Sequence, residues 1–351
     1  GGGARPTAAA TGKATNQKKP VSKSGALPPP SRGRDGEGGT LGKGPVLVTF
    51  YRSYLTSGDT DPVDALIHAL RAEGFEAYGA FAPSLKAPGF ADWLSAHLTQ
   101  HPPVAVINAT AFSAKSDDGS TPFDAAQCPV FQVALSTARR RDWLASDRGL
   151  SPADLAMHVV LPEVDGRILA GLVSHKSPGS RHPDLQFSRF AHRADPGRVA
   201  AVVQRVAAWH RLATAPTAAR QLAVILSTYP GRAHQMAHAV GLDALASTEA
   251  LVTSLATQGY AVAEGAPLSQ ALTETLTWPV SAYLAALEAL PDALRADLTE
   301  AWGDPTADPS VKDGQFHFAA TRRGHTLIAL QPERCDVAQR ENDYHDLART
   351  P

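Results

Sequence analysis

The stretch that decides the fold is "PVLVTFYRSYLTSGDTDPVDALIHALRAEGFEAYGAF", residues 45–81. It opens with a β-branched and aromatic run, residues 45–51, which predicts a buried strand. After a polar loop, Asp61 is suited to cap a helix and Pro62 to its first turn. The apolar face of that helix has helical spacing: Val63, Leu66, Ile67 and Leu70. Gly74 ends the helix and a second apolar run follows, so the stretch predicts a strand–helix–strand unit.

The same alternation continues toward the carboxyl terminus. Short apolar runs at 103–110 and 129–135 predict two further strands. The run "HVVLPEVDGRILAGLVS", residues 158–174, predicts two short extended segments around an Asp-Gly turn. A helix of about five turns then starts at Asp195 and Pro196. Strands that alternate with helices favour an α/β fold with a parallel sheet covered on both faces.

A second unit starts after "APTAARQ", residues 215–221. "RQLAVILSTYP" predicts a strand, and the helix after it has Ser247 as its expected cap and Gly259 as its stop. Residues 267–303 are expected to be mainly helical, and "HTLIALQPER" adds a late strand. We therefore predict two successive parallel-sheet domains of βαβ type: a first at 45–215 that includes the connecting helix, and the start of a second at 216–351, which is incomplete.

The first 44 residues are rich in glycine and proline and carry eight Lys or Arg against two acids, in a chain of net charge −1. We predict a disordered basic linker, because so few apolar residues cannot offset the entropy of ordering. It has no aromatic residue for base stacking, so no nucleic-acid partner is expected. No apolar run approaches the length of a membrane span, and no signal peptide is recognisable.

The two cysteines lack the spacing of a zinc site or of a disulfide framework, which indicates a reducing cytoplasm. The missing initial methionine and the end at "DLARTP" are those expected of an internal piece of a longer protein. The sequence contains no G-x-x-x-x-G-K-[ST], G-x-S-x-G, H-E-x-x-H or Cys-x-x-Cys. ATP binding by a P-loop and the common hydrolase, zincin and thiol redox sites are thereby excluded.

The polar residues to consider lie in loops after predicted strands, because ligands of open α/β sheets bind outside the carboxyl ends of the strands. The loops after residues 51, 108, 135 and 227 offer these groups: Arg52, Asp59, Asn108, Tyr229, His234 and Asp243. Turn and cap chemistry is the alternative explanation for Asp59.

Two pairs of residues suggest more specific chemistry. His234 and His238 are four residues apart, so on a helix they share a face and can hold a transition metal, although the sequence fixes no third ligand. They can equally be surface groups. Glu163 and Asp165 are two apart, and on a strand both carboxylates point to one side, as a general acid–base pair requires. The alternative is a solvated Asp-Gly turn.

Several stretches resemble one known family. They include "FYRSYLTSGDTDPVDALIHALRAEGFEAYGAFAPSLK", "VINATAFSA", "GLSPADLAMHVVLPEVDGRI", "LSTYPGRAHQMAHAVGLDALAS" and "RENDYHDLARTP". Together they are similar to the large subunit of aerobic cobaltochelatase, from residue 45 to the end. The "P-E-x-D-G" and "D-G-Q" patterns are also similar to the large subunit of magnesium chelatase.

The resemblance implies ATP-dependent insertion of cobalt(II), the metal substrate, into hydrogenobyrinic acid a,c-diamide during cobalamin biosynthesis. It implies that the large subunit binds the tetrapyrrole, while two smaller subunits form an AAA+ motor that hydrolyses ATP. Arg52 and Arg232 are then candidates for pairing with corrinoid carboxylates, beside the "Y-P-x(8)-A-V-G-L-D" frame that runs from Tyr229 to Asp243.

The resemblance also implies where catalysis does not lie. The histidine-rich "H-G-x-x-E" stretch that the family associates with its reaction cavity is absent from this chain, so the catalytic residues are expected downstream and this piece alone should be inactive. Two other functions stay open: a magnesium chelatase that acts on protoporphyrin IX, and a non-catalytic two-lobed α/β module for a small anionic ligand.

Overall fold

The computed structural model describes residues 42–227, 238–239, 242–272 and 275–331. These residues form two compact units, one up to Arg211 and one from Leu212. Most of the predicted basic linker lies outside the described residues, as do Tyr229, Arg232 and His234. The domain limits 45–215 and 216–351 stay a prediction.

The first unit alternates strands and helices, as the sequence predicts. Its strands are β1 (Pro45–Tyr51), β2 (Glu76–Ala82), β3 (Ala105–Asn108), β4 (Val130–Ser136), β5 (Ile168–Arg181) and β6 (Ser188–Ala194). Its helices are α1 (Arg52–Thr56), α2 (Asp61–Ala72), α3 (Phe90–Gln100), α4 (Arg140–Leu144), α5 (Pro152–Leu155), α6 (Leu161–Glu163) and α7 (Pro196–Thr214). No described helix is long and apolar enough to cross a lipid bilayer.

These strands form one six-stranded sheet in the order β2-β1-β3-β4-β5-β6. All neighbours are parallel except β5 and β6, which form an antiparallel hairpin. One face carries a core in which β1 packs with α2 and α7, represented by Val48, Leu66 and Val203. The other face packs against α3 through Leu47 and Leu94. The sequence-based α/β prediction with helices on both faces is confirmed for this unit.

Edge strand β6 is held by two aspartates that come just before and at the start of α2. Asp59 Oδ1 accepts from His192 N at 2.8 Å, and Asp61 Oδ2 accepts from Ala194 N at 2.7 Å. Amide groups at a sheet edge otherwise remain unpaired. The expected cap role of Asp61 is wrong: Thr60 precedes the helix, and Asp61 is its first residue.

The segment 152–163 is helical, which corrects the prediction of an extended segment from residue 158. Ser151 Oγ accepts from Asp154 N at 3.1 Å and caps α5, with Pro152 in the first turn. One π-helical turn, Ala156–Val160, separates α5 from α6. The capping serine, three residues before an acid, outweighs the β-branched residues that favour a strand.

The second unit contains a smaller sheet and a separate two-stranded ladder. Its strands are β7 (Leu222–Leu226), β8 (His238–Ala239), β9 (Leu242–Asp243), β10 (Thr275–Pro279), β11 (Val311–Lys312), β12 (Gln315–Arg323) and β13 (Thr326–Leu330). Its helices are α8 (Ala244–Thr257), α9 (Leu268–Ala271), α10 (Val280–Glu288) and α11 (Asp292–Trp302). The predicted strands at β7 and β13 are confirmed, whereas β10 interrupts the segment expected to be mainly helical.

The second sheet is mixed. Its main order is β10-β12-β13-β7, and among these strands only β13 and β7 run parallel. Its described core is small and centres on Val252, Leu268, Leu272 and Ile328. Arg323 crosses from β12 to α8, where its guanidinium donates to Glu249 Oε2 at 2.6 Å. The α/β class with two successive sheets is therefore present, but a parallel arrangement is limited to one pair of strands in the second.

Candidate functional site

The carboxyl edge of the first sheet is where its topology favours a ligand. Strand β1 lies between β2 and β3, so the chain leaves β1 toward one side of the sheet and β3 toward the other. Crevices form at such a switch point, outside the carboxyl ends of the strands. Tyr51 ends β1 and Asn108 ends β3, and the loops that follow them meet at this place.

A row of buried polar side chains crosses the sheet just below this edge. Thr49, Asn108 and Gln132 are register partners on β1, β3 and β4, each at most 1% exposed. Thr49 Oγ1 donates to Asn108 Oδ1 at 2.7 Å, and Asn108 Nδ2 donates to Gln132 Oε1 at 2.7 Å. Because these groups satisfy one another, the row is stable inside an otherwise apolar sheet.

The row continues into a buried ion pair. Arg167 Nη1 donates to Gln132 Oε1 at 3.1 Å, and Arg167 Nη2 pairs with Asp165 Oδ2 at 2.5 Å. Asp165 also accepts from Ser113 Oγ at 2.5 Å and from Ala114 N at 2.7 Å. Burial lowers the pKa of Arg167, and the neighbouring Asp165 opposes this shift. The pair therefore fixes the loop after β3 to the segment before β5.

Phe112 stands exposed in that loop with an unusual backbone. Its φ is +66°, in the left-handed region that costs energy for a bulky residue, and its side chain is 49% exposed. Phe112 N donates to Met157 O at 2.8 Å, and the Tyr51 hydroxyl accepts from Ala111 N at 3.1 Å. Burial raises the pKa of Tyr51, so its hydroxyl stays protonated and also donates to Ala111 O. The loop thus holds an aromatic ring at the switch point.

A second polar group lies where β5 pairs with β6. His192 Nδ1 is 3.1 Å from Ser174 Oγ, and its ring meets the edge of the Tyr54 ring at a centroid distance of 5.9 Å. Burial lowers the pKa of His192, and Asp59 opposes the shift. The imidazole is therefore neutral at pH 7.

His158 lies on the π-helical turn and is also buried. Its Nδ1 has no hydrogen-bond partner among the described residues. Burial lowers its pKa, against the influence of Asp154. Asp154 itself accepts from Thr137 N at 2.9 Å and from Ser136 Oγ at 3.2 Å, which ties the helix to the loop after β4. π-Helical turns often occur at functional sites, and this one places a buried imidazole beside the carboxyl edge.

A cavity of about 380 Å³ adjoins the buried ion pair near the amino end of β4. Its walls include both members of the buried ion pair and come from Thr121, Phe123, Asp124, Gln127, Cys128, Pro129, Val130, Asp165, Gly166 and Arg167. The Arg167 guanidinium lies 5.4 Å from the Phe123 ring centroid. Burial raises the pKa of Cys128 to about 11, so this thiol is not a reactive thiolate at neutral pH.

Candidate residues that lie close together in the sequence have different environments in the structure. Arg52 begins α1 and is exposed, whereas Asp59 is buried against β6. Glu163 is exposed at the end of α6, while Asp165 lies in the following turn with a buried carboxylate. These two do not share a strand face, because the chain is helical up to Glu163. The Asp-Gly turn is present, but its aspartate is ion-paired instead of solvated.

In the second unit, Asp243 is a helix cap. Its Oδ1 accepts from Ala246 N at 2.9 Å at the start of α8, which corrects the expected cap at Ser247. The backbone of His238 pairs with Asp243 in a two-residue ladder, so it is not on a helix. No group of three or more His, Cys, Asp or Glu that is suited to hold a metal occurs among the described residues.

Sequence reasoning did not identify five polar residues of the candidate site. These are the buried residues Thr49, Gln132, Arg167, His158 and His192. Two of them carried a signal: Thr49 in "VLVTFY" and Gln132 in "PVFQVAL" are polar residues inside apolar strands. A polar residue in a buried strand requires a hydrogen-bond partner, and this points to a network.

Known proteins match nearly the whole chain. A family model described as CobN/Magnesium Chelatase matches residues 17–351. The aerobic cobaltochelatase subunit CobN of Sinorhizobium sp. is 34% identical over 319 residues, which are 86% of this chain and 25% of that protein. A magnesium-chelatase subunit of Rhodobacter capsulatus is 26% identical over 318 residues, 82% of this chain and 26% of that protein.

A solved structure has the same fold. The catalytic subunit of cobaltochelatase from Mycobacterium tuberculosis superposes with a TM-score of 0.69 at 27% sequence identity, over 92% of this chain and 28% of that chain. The present chain therefore spans about a quarter of the length of the relatives that it matches.

Proposed function

The chain belongs to the CobN/magnesium chelatase family, and we propose that it forms part of the large subunit of an ATP-dependent cobaltochelatase. The reaction is insertion of cobalt(II) into hydrogenobyrinic acid a,c-diamide in cobalamin biosynthesis, in the cytoplasm. The observation that carries the choice of metal is the higher identity to CobN, 34% against 26% for the magnesium-chelatase relative over nearly equal spans. Insertion of magnesium into protoporphyrin IX is the second candidate.

The contribution of this chain is to bind the macrocycle at the carboxyl edge of the first sheet. Exposed Phe112 offers an aromatic face to a flat conjugated ring, and Arg52 offers a charge to its carboxylates. The buried row from Thr49 to Arg167 supports this edge by fixing the loop that carries Phe112.

ATP is hydrolysed by partner subunits in this proposal. The sequence contains no P-loop, which supports an AAA+ motor formed by two smaller subunits. Metal ligands and the catalytic groups are assigned to other parts of the large subunit, because no suitable cluster occurs among the described residues of this chain. The 351-residue chain alone is therefore expected to insert no metal.

The test is a reconstituted insertion assay. The large subunit that contains this chain is combined with the two smaller subunits from the same genome, cobalt(II), ATP and hydrogenobyrinic acid a,c-diamide, and the absorbance change of the corrinoid is followed. Parallel reactions contain magnesium(II) and protoporphyrin IX. ATP-dependent cobalt insertion with no magnesium insertion is the expected result.

Two results would overturn the proposal. Magnesium insertion without cobalt insertion would assign the chain to the second candidate. Failure of the large subunit to bind either macrocycle, in a titration followed by absorbance, would remove tetrapyrrole binding altogether. The 351-residue chain alone is assayed as the control, and it is expected to insert no metal.

A further inference from the structure

Strands β5 and β6 extend beyond the rest of the first sheet as a two-stranded arm, which we define as residues 176–190. Strand β4 pairs with β5 only as far as His175, whereas the β5–β6 ladder continues to the pair Arg181 and Ser188. The arm therefore has no further strand on the β4 side among the described residues. It rises from the carboxyl half of the sheet, because β5 runs parallel to β4.

The arm exposes large apolar side chains. Leu185 is 66% exposed, Phe187 56% and Phe190 48%. Scattered single apolar residues on a surface are ordinary, but here three large apolar residues are exposed within six positions of one hairpin. Such a concentration of exposed apolar residues is typical of a segment that contacts another molecule.

The arm is also cationic. Residues 176–190 contain three Lys or Arg residues, Lys176, Arg181 and Arg189, and one acidic residue, Asp184. No ion pair joins any of these three cations to an acid in the described part of the chain. Apolar rings beside guanidinium groups that lack an acidic partner fit a ligand that is apolar on its faces and anionic at its periphery.

Two contacts place the base of the arm at the carboxyl edge. The Arg189 guanidinium donates to Ser57 O in the loop after α1, which follows β1. The Arg139 guanidinium lies 5.5 Å from the ring centroid of Phe190, and Arg139 belongs to the loop after β4. The arm therefore stands beside the loops at which an α/β sheet binds its ligands.

We propose that the arm is a macrocycle-binding element: Phe187 and Leu185 contact the face of the tetrapyrrole, and Arg181 pairs with its peripheral carboxylates. This inference rests on the proposed function and adds residues to the same site. The macrocycle is preferred to a protein partner because the arm is anchored to the ligand-binding edge and because its charge complements a ring that bears several carboxylates.

The experiment uses the complete large subunit and titrates it with hydrogenobyrinic acid a,c-diamide, with binding followed by absorbance. Phe187→Ser and Arg181→Glu are the arm variants, and both positions are exposed, so folding is expected to be unchanged. Leu251→Ser and Arg322→Glu, at exposed positions on α8 and β12 of the second unit, are matched controls. Each arm variant should weaken binding about tenfold, and each control should leave it within about twofold.

The outcomes separate this inference from the proposed function. Absence of binding by the unaltered subunit contradicts the proposed function and with it this inference. Tight binding by the unaltered subunit and by both arm variants contradicts only the role of the arm. Unchanged macrocycle binding combined with lost association of the smaller subunits would also overturn the role proposed here, and would show that the arm docks a protein.

Discussion

Asn108 occupies the centre of the polar row, and its whole side chain is engaged. Its Oδ1 accepts from Thr49 and Thr110, and its Nδ2 donates to Gln132 and to Thr110 O. Replacement by alanine leaves buried hydroxyl and amide groups without partners, and each such group costs about 1–3 kcal/mol. We expect Asn108→Ala to lower the free energy of unfolding by about 2–4 kcal/mol, as measured by urea denaturation.

The control for this prediction is Gln100→Ala, at an exposed position at the end of α3. It removes an amide of similar size from the surface and should change the free energy of unfolding by no more than about 0.5 kcal/mol. Equal stability of Asn108→Ala and Gln100→Ala would show that the row does not hold the strand ends.

Buried histidines give the fold a defined sensitivity to acid. Burial lowers the pKa of His158 and of His192 below the ordinary value of 6.5. The unfolded chain therefore binds these protons at a higher pH than the folded chain does. The stability that the two groups contribute is complete above pH 6.5 and is lost as the pH falls from 6.5 toward their folded-state pKa values, by up to about 1.4 kcal/mol per pH unit for each.

Urea denaturation at a series of pH values between about 7.5 and roughly 5 measures this loss. His192→Gln removes one titrating group and retains a hydrogen-bonding side chain, so its stability should fall less steeply with acid. Exposed His68→Gln should keep the slope of the unaltered chain. A His192→Gln variant with an unchanged slope would mean that His192 does not account for the acid sensitivity.

At the scale of elements, strand β6 depends on the aspartates of the loop and helix beside it. Asp59 is buried and accepts from the His192 amide, so Asp59→Ala should expose the edge of the sheet. The expected cost is about 1.5–3 kcal/mol, the range for hydrogen bonds to a charged acceptor. Hydrogen exchange of β6 amides should become faster, while exchange in β1 and β3 changes less.

Asp64→Ala is the matched control, because Asp64 is exposed on α2, which follows the loop of Asp59, and accepts from the Thr60 hydroxyl instead of from β6. It should leave exchange in β6 unchanged. If Asp59→Ala behaved like this control, the edge strand would be held by its ladder with β5 alone.

Elements with clear local signals are predictable from sequence. The strand at 45–51 and the helices around Leu66 and Val203 follow apolar periodicity, and the structure confirms them. The helical segment at 152–163 was missed, since its β-branched residues favour a strand while the Ser-Pro pair at its start favours a helix. Strand β10 was missed for a different reason: its partner β12 is about 40 residues away in sequence, and local periodicity contains no information on such pairing.

At the scale of the whole molecule, the place of the candidate site could be predicted from the sequence, whereas the hydrogen-bond partners within it could not. Strand alternation indicated which loops follow strand ends, and Asp59 and Asn108 do lie there. Pairing of Gln132 with Asn108 and with Arg167 depends on strand order and register, which the sequence does not specify. The hydrogen bonds that join Thr49, Asn108 and Gln132 across β1, β3 and β4 follow from the strand order of the folded sheet.

Among the described residues, the buried apolar core of the first unit is larger than that of the second, and this difference should appear in hydrogen exchange. In the first unit, β1 and β3 are buried on both faces, with residues such as Leu47, Val48 and Ile107 at 0% exposure. In the second, β7 alternates between half-buried and exposed residues, and Ile225 is 56% exposed. Amides open at a free energy that follows local burial, so exchange should be slower in β1 and β3 than in β7.

Hydrogen exchange followed by mass spectrometry on the 351-residue chain measures this directly. Peptides from β1, β3 and β4 should remain protected longest, and those from β7 and β13 should exchange at least about tenfold faster, which corresponds to about 1.4 kcal/mol in opening free energy. Binding of the macrocycle to the complete subunit should slow exchange in residues 109–114 and 176–190 if these segments line its site. Equal protection of β1 and β7 would show that the small core around Val252 and Ile328 is as cooperative as the large one.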